Sequence, residues 1–219
     1  MQFLEFFSDI NLNIILAMCY FAILGVLCII YPLYKKEYIK LLIIGHALIA
    51  VAILMLSLRN IAPDIISVVI GNMFLLAGEY LIIVGFLKLI NKKLKHKYFI
   101  TSYVVFTIIH IYFTYFVPNV NYRIINFSIF MIFAITIILI SYLGKLKHQS
   151  DIPYMVIWLT YLLFSLNHLV RLTNAIAYEV IDELFRDANI LKTYILISII
   201  ICIVRIISIL IINTKDLIE

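Results

Sequence analysis

The sequence predicts an all-α membrane protein: a seven-transmembrane-helix bundle with its N-terminus outside and its C-terminus in the cytoplasm. Three observations carry this. Of the 219 residues, 65% are hydrophobic and 13% charged, more apolar surface than a soluble domain of this length needs. The apolar residues come in seven long runs, each near the ~20 residues that cross a hydrocarbon core. The loops between these runs alternate in their content of Lys and Arg, as the positive-inside rule requires. The net charge of +5 is then a matter of orientation, and no nucleic-acid partner is expected.

The spans are justified in order. The opening MQFLEFFSDI lacks a basic n-region and a small-residue cleavage site, so it is no signal peptide. Its aromatics predict a short interfacial segment on the outer leaflet. Span one covers 12–34 and is followed by Lys35, Lys36 and Lys40. Span two, 41–58, is short and leads into the turn RNIAPD. Span three, 65–88, starts beyond Pro63 and Asp64. Proline suits the first turn of a helix, and an aspartate suits its positive end. Lys88, Lys92, Lys93, Lys95 and Lys97 follow it. Span four, also short, covers 98–116. Span five covers 124–143 and precedes Lys145 and Lys147. Spans six and seven cover 153–178 and 190–212, and Lys215 follows the last. The alternate loops carry only Arg59, Arg123, Arg186 and Lys192, the last loop being acidic through Glu179, Asp182, Glu183 and Asp187. Residues 1–212 thus form one membrane domain, and 213–219 begin a helix that leads into a cytoplasmic domain beyond the sequence.

Polar residues within the spans point to function, because a charge in hydrocarbon is costly and usually faces a bundle interior or a cavity. Gly71, Gly78 and Gly85 repeat every seven residues and put three glycines on one face of span three, where a neighbouring helix can approach closely. Asn72 and Glu79 lie on the adjoining edge. In span six, Thr160, Asn167, Arg171, Asn174 and Tyr178 fall on one stripe with His168 beside it. In span seven, Ser198, Cys202, Arg205 and Ser208 make another. Cys19, Cys28 and Cys202 form no C-x-x-C pair and read as small core residues.

Depth, at ~1.5 Å of rise per residue, sorts these groups into two layers. Glu79 and Arg205 come out at one level, roughly 21 and 22 Å from the outer surface. They are expected either to lock span three to span seven as a structural ion pair or to act as a switch whose breaking moves span seven. Asn72, His110 and His168 lie roughly 9–11 Å below the outer surface, with Arg171 a turn higher and Arg59 at the rim. Together with Asn167 they predict a basic pocket, open to the exterior, for a small anionic or amphipathic ligand or a lipid headgroup, since guanidinium forks suit carboxylate and phosphate. The plainer alternative has Arg59 and Arg171 snorkel to headgroups while the histidines bond to backbone.

Other chemistries are weaker. His110 and His168 at similar depth raise a b-type haem by axial ligation as an alternative, with His46 too deep to join them; otherwise no cofactor or metal is expected. A light sensor needs a buried lysine in span seven, where only Lys192 occurs, at the outer start. No catalytic constellation and no Gly-rich phosphate loop is present, so no enzymatic residue is assigned. Pro32, Pro63, Pro118 and Pro153 all fall near span ends, which does not suggest the broken helices of a transporter.

The stretch LRNIAPDIISVVIGN, followed by the Gly-rich third span, resembles the N-terminal multi-span sensor region of bacterial diguanylate cyclases with a C-terminal GGDEF domain. Those regions tend to show L-R-x-x-x-P-x-x-x-S-x-x-x-x-N at this junction, here through Arg59, Pro63, Ser67 and Asn72. They also tend to carry an arginine late in span six, matching Arg171 in NHLVRL, and a seventh span that runs into the catalytic domain. The resemblance covers the whole chain in topology; the same kind of module also precedes histidine kinases. It implies signal input at the bacterial inner membrane, a homodimer, and an output domain that lies outside these residues, so no cyclase activity belongs to them. The competing class is a stand-alone membrane protein, either a lipid-binding scaffold or a small transporter.

Overall fold

The computed structural model describes residues 9–59, 61–143, 152–177 and 188–218, with side chains over 13–59, 61–143, 152–177 and 196–214. Its elements are α1 (Asp9–Tyr34), α2 (Glu37–Ser57), a π-helical turn (Ile65–Ile70) continuing directly into α3 (Gly71–Leu89), α4 (His96–Tyr115), α5 (Val120–Leu143), α6 (Ile152–Ala177) and α7 (Ala188–Ile218). Among the described residues there is no strand, and seven helices are long and apolar enough to cross a membrane. The chain is a multi-pass membrane protein in which each expected span is a helix.

The differences lie at the ends. The two spans expected to be short start earlier, by a turn at Glu37 and by two residues at His96, where polar residues hide the helix from a hydropathy reading. α5 begins at Val120 because Asn119 caps it: the Tyr122 amide donates to Asn119 Oδ1 at 3.1 Å, satisfying one of the orphan donors of a first turn. Pro63 does not lie in the first turn of a helix. Asp64 is the residue before the π turn, and its side chain makes no capping bond. Ser67, inside the turn, bonds instead to the carbonyls that precede it. It is fully buried, and its hydroxyl reaches the carbonyls of Ala62 and Pro63 at 3.3 Å each. The opening MQFLEFFS, Tyr178, the acidic residues 179–187, and Lys145 and Lys147 lie outside the described residues.

Helix contacts run from α1 to α2, α2 to α3, α3 to α5, α5 to α6, α6 to α7 and from α7 back to α1. α4 lies against α5 and the π turn. It is joined to α3 by a Tyr80–Phe99 stack at 3.9 Å and by the Tyr103 hydroxyl donating to the Met73 carbonyl at 2.9 Å. The glycine face of α3 is turned to α2. A Cβ at Gly78 would lie 2.7 Å from the Gly45 carbonyl, and one at Gly45 would lie 2.8 Å from the Gly78 carbonyl. Only two hydrogens let these backbones approach so closely. Gly85 fits over Leu42 and Gly71 over Leu56 in the same groove. Outward faces carry exposed Ile, Leu, Val and Phe on every helix but the central α3, as contact with lipid requires.

Two contacts define one end of the bundle. Lys88 at the end of α3 pairs with Glu37 at the start of α2. The Tyr38 hydroxyl donates to Asn213 Oδ1, near the end of α7, at 2.5 Å. This lysine end carries Lys35, Lys36 and Lys40 and the run Lys92–Lys97; the opposite, arginine end carries Arg59 and Arg123.

Candidate functional site

The deeper polar layer gathers side chains from four helices of the closed circuit, α2, α3, α6 and α7, with Tyr20 of α1 beside them. His46, Glu79, Thr160, Tyr161 and Arg205 each stand roughly two and a half turns from the lysine end, ~12–14 Å in, and all are buried. Arg205 is 4% exposed. Its Nε donates to Thr160 Oγ1 at 3.2 Å, and its guanidinium lies over the Tyr161 ring, 3.8 Å from the centre, with Phe164 at 5.2 Å. Thr160 spends its own proton on the Ile157 carbonyl at 2.7 Å, which leaves its lone pairs for the arginine. Tyr161 is backed edge-on by Phe86 at 5.7 Å, and the Tyr142 hydroxyl fastens to the Phe86 carbonyl at 3.1 Å. On the other side His46 donates Nδ1–H to the Leu42 carbonyl at 2.7 Å and rests 5.7 Å from the Tyr20 ring.

Arg205 interacts electrostatically with Glu79, Tyr161, Cys202 and Tyr20. Glu79 and Arg205 therefore share a level and a field. Even so, Glu79 Oε2, Arg205 Nη2 and the Tyr161 hydroxyl are buried without hydrogen-bond partners. The direct partners of Arg205 are on α6. The expected pair is thus a charge interaction around which α6 and α7 are hydrogen-bonded and stacked. A buried charge keeps its low free energy only while such contacts hold.

At the arginine end, the residues expected in one pocket fall into two groups. The first is Arg59, His110 and Arg123. Arg59 is half-buried after α2 with Nε unpartnered. Burial and then the neighbouring Arg123 lower its guanidinium pKa from the ordinary value, while Asp64 opposes this. His110 on α4 is 2% exposed, stacks on Phe106 at 5.1 Å, and has no hydrogen-bond partner on either ring nitrogen. It lies in the field of both arginines. The second group is His168 and Arg171 on α6. His168 sits between Phe164 at 4.8 Å and Phe127 at 5.8 Å, and Arg171 lies 5.7 Å over Phe127. Both ring nitrogens of His168 are likewise buried without partners.

The two histidines are linked by a file of rings, since Phe106 and Phe127 are 6.2 Å apart. Asn72 turns onto its own helix, donating Nδ2–H to the Val68 carbonyl at 2.7 Å. Asn167 is half-buried on α6. Among the described residues no three His, Cys, Asp or Glu side chains stand close enough to hold a metal ion, and all three cysteines are free.

Sequence reasoning missed three members of these groups. Arg123 reads in the sequence as a loop charge, and its place at the same end as Arg59 is the one clue. Tyr161 follows Thr160 and was hidden among 15 tyrosines. His46 reads in the sequence as an inner-half residue that belongs to no group. A comparison with protein-family models, with curated proteins and with solved structures finds no match to this chain.

Proposed function

We propose that this chain is the transmembrane input domain of a signalling protein. A small anionic or amphipathic ligand, or a lipid headgroup, engages the arginine end from outside. The resulting change passes through α7 to a cytoplasmic output domain, a diguanylate cyclase by the resemblance noted above. The N-terminus is outside, the lysine end faces the cytoplasm of a bacterial inner membrane, and the working unit is a homodimer.

One observation carries this reading: α7 is gripped at mid-membrane by the helix that also bears a candidate ligand group. Arg205 is bonded to Thr160 and stacked on Tyr161, and the same α6 carries His168 and Arg171 two to three turns farther along. A shift of α6 at the arginine end thus changes the seat of the one arginine buried in α7. α7 then continues unbroken to Ile218, a stiff rod for conveying rotation or sliding. Such a signal requires the ligand to bind two packings of the bundle with different affinity.

The test is a distance measurement. Spin labels at exposed Lys40 and Thr214 report the lysine end of α7 against α2. Addition of members of a panel of carboxylates, phosphates and anionic lipids should shift the distance distribution, and Arg205→Gln should abolish the shift. An unchanged distribution in the wild-type protein across the whole panel would sink the sensor reading.

A further inference from the structure

We infer that Arg59, Arg123 and His110 together form a binding site for a phosphate group at the arginine end of the bundle, separate from the His168–Arg171 pair on α6. This rests on the sensor reading only for its consequence; the site itself stands on its own geometry.

Three elements meet here. Arg59 follows α2 and leads into the turn before α3. α4 packs against the π turn that opens α3. α5 is tied to α4 by the Phe113 and Tyr122 rings, 4.9 Å apart. Arg123 lies in the first turn of α5, with its amide bonded to the Asn119 carbonyl at 3.3 Å. His110 lies about one turn deeper than Phe113 on α4. The three cationic or donor side chains therefore come from three directions toward one region.

The electrostatics are unbalanced. Two guanidinium groups lie in each other's field, and Asp64 is the carboxylate that answers them. Arg59 Nε is buried with no acceptor. His110 is the second and independent sign. A neutral imidazole always carries one N–H, yet neither nitrogen of this buried ring has a partner, and a buried polar group left unsatisfied destabilises the fold. Contacts within the protein do not account for placing such a ring beside two arginines. An oxyanion does: it accepts from the imidazole N–H and from both forks and removes the repulsion between them. Donors arriving from three elements suit the tetrahedral oxygens of a phosphate better than a planar carboxylate, which a single fork would saturate. The phosphate is supplied either by a lipid headgroup or as the free ion.

The experiment uses the whole chain in a neutral, phosphate-free maltoside detergent. Thermal unfolding is followed on adding inorganic phosphate against chloride at equal ionic strength. In a parallel arm, phosphatidylglycerol is added against a neutral glycolipid. Stabilisation by phosphate identifies the free ion, and stabilisation by phosphatidylglycerol alone identifies the headgroup; either supports the site. The apparent affinity should fall roughly 10–100-fold in Arg123→Gln and in Arg59→Gln, as expected for losing a charge-assisted hydrogen bond. Arg123→Lys should retain part of it, and Arg171→Gln should retain all. If Arg123→Gln fails to fold, Arg59→Gln and His110→Ala carry the same comparison. Absence of stabilisation in both arms overturns the site. So does loss of stabilisation in Arg171→Gln with retention in the Arg59 and Arg123 variants. Phosphate binding that leaves the Lys40–Thr214 distance unchanged, while another member of the panel shifts it, would keep the site and take it off the signalling route; an unchanged distance across the whole panel would keep the site and refute the sensor reading.

Discussion

At the residue scale, Arg205 concentrates the free energy of the interior. Its guanidinium is removed from water and answered by one hydroxyl, two aromatic rings and one carboxylate beyond hydrogen-bond reach. Replacing it with methionine leaves Glu79 buried without a cation, and such a break costs about 3–5 kcal/mol. Glu79→Gln removes the smaller share, because Thr160 and Tyr161 still hold the arginine, and should cost about 1–3 kcal/mol. If the two charges are coupled, the double variant Glu79→Gln/Arg205→Met is more stable than Arg205→Met alone. Thermal unfolding in detergent measures all three, and a double variant that is simply additive shows that Arg205 answers only to α6. Direct side-chain partners of this kind are invisible in a depth count. Glu79 and Arg205 read as a pair because they share a level, yet Thr160, on a stripe identified for other reasons, is the group within hydrogen-bond reach.

At the scale of elements, the α2–α3 groove is the tightest joint in the bundle. Gly45→Ala would set a methyl 2.7 Å from Ile82 Cγ1 and 2.8 Å from a backbone carbonyl, and Gly78→Ala would set one 2.6 Å from Ile49 Cγ1. Backbone cannot step aside as a flexible side chain can, so each substitution should cost about 1–3 kcal/mol. Gly71→Ala meets only Leu56 and Met55 at 3.3–3.4 Å and should cost less. Gly25→Ala has open space around it and should be neutral or stabilise α1 by up to about 1 kcal/mol. An equal response at all four positions would show that helix propensity, not packing, is being measured. A second joint, Tyr38 to Asn213, fastens α7 to α2 at the lysine end. Tyr38→Phe removes that bond at about 0.5–1.5 kcal/mol. It should speed hydrogen exchange over 209–214 while leaving α3 unchanged.

At the scale of the whole molecule, orientation is the expectation on which any sensory role depends. With Cys19, Cys28 and Cys202 replaced, a cysteine at exposed Lys40 or Lys93 should react with a membrane-impermeant maleimide only after the cytoplasmic face is opened. A cysteine at exposed Tyr122 should react in intact cells. The reverse pattern would invert the proposed direction of signalling. The architecture also explains why function is read from the interior. α4 lies outside the circuit of the other six helices, and the charged layer is enclosed by them, so a movement of α6 or α7 must rearrange that layer.

The sequence by itself determined the number of helices, their approximate limits, the glycine face of α3 and the level along its helix at which each polar group lies. These follow from one-dimensional regularities: run length against bilayer thickness, a seven-residue repeat and a fixed rise per residue. It also found Glu79, His110, His168, Arg171 and Arg205, because a polar group in hydrocarbon stands out wherever it occurs. The tertiary structure alone decided the azimuth of each helix and its neighbours. That choice brought Arg123 to Arg59 and His110, set His168 and Arg171 against Phe127, turned Asn72 onto its own backbone, and gave Arg205 to Thr160 and Tyr161. The physical reason is that depth depends on position along one chain, whereas contact depends on how separate helices rotate and pack. Such rotation is set by close approach at sites such as Gly45 and Gly78, which no single stretch of sequence encodes.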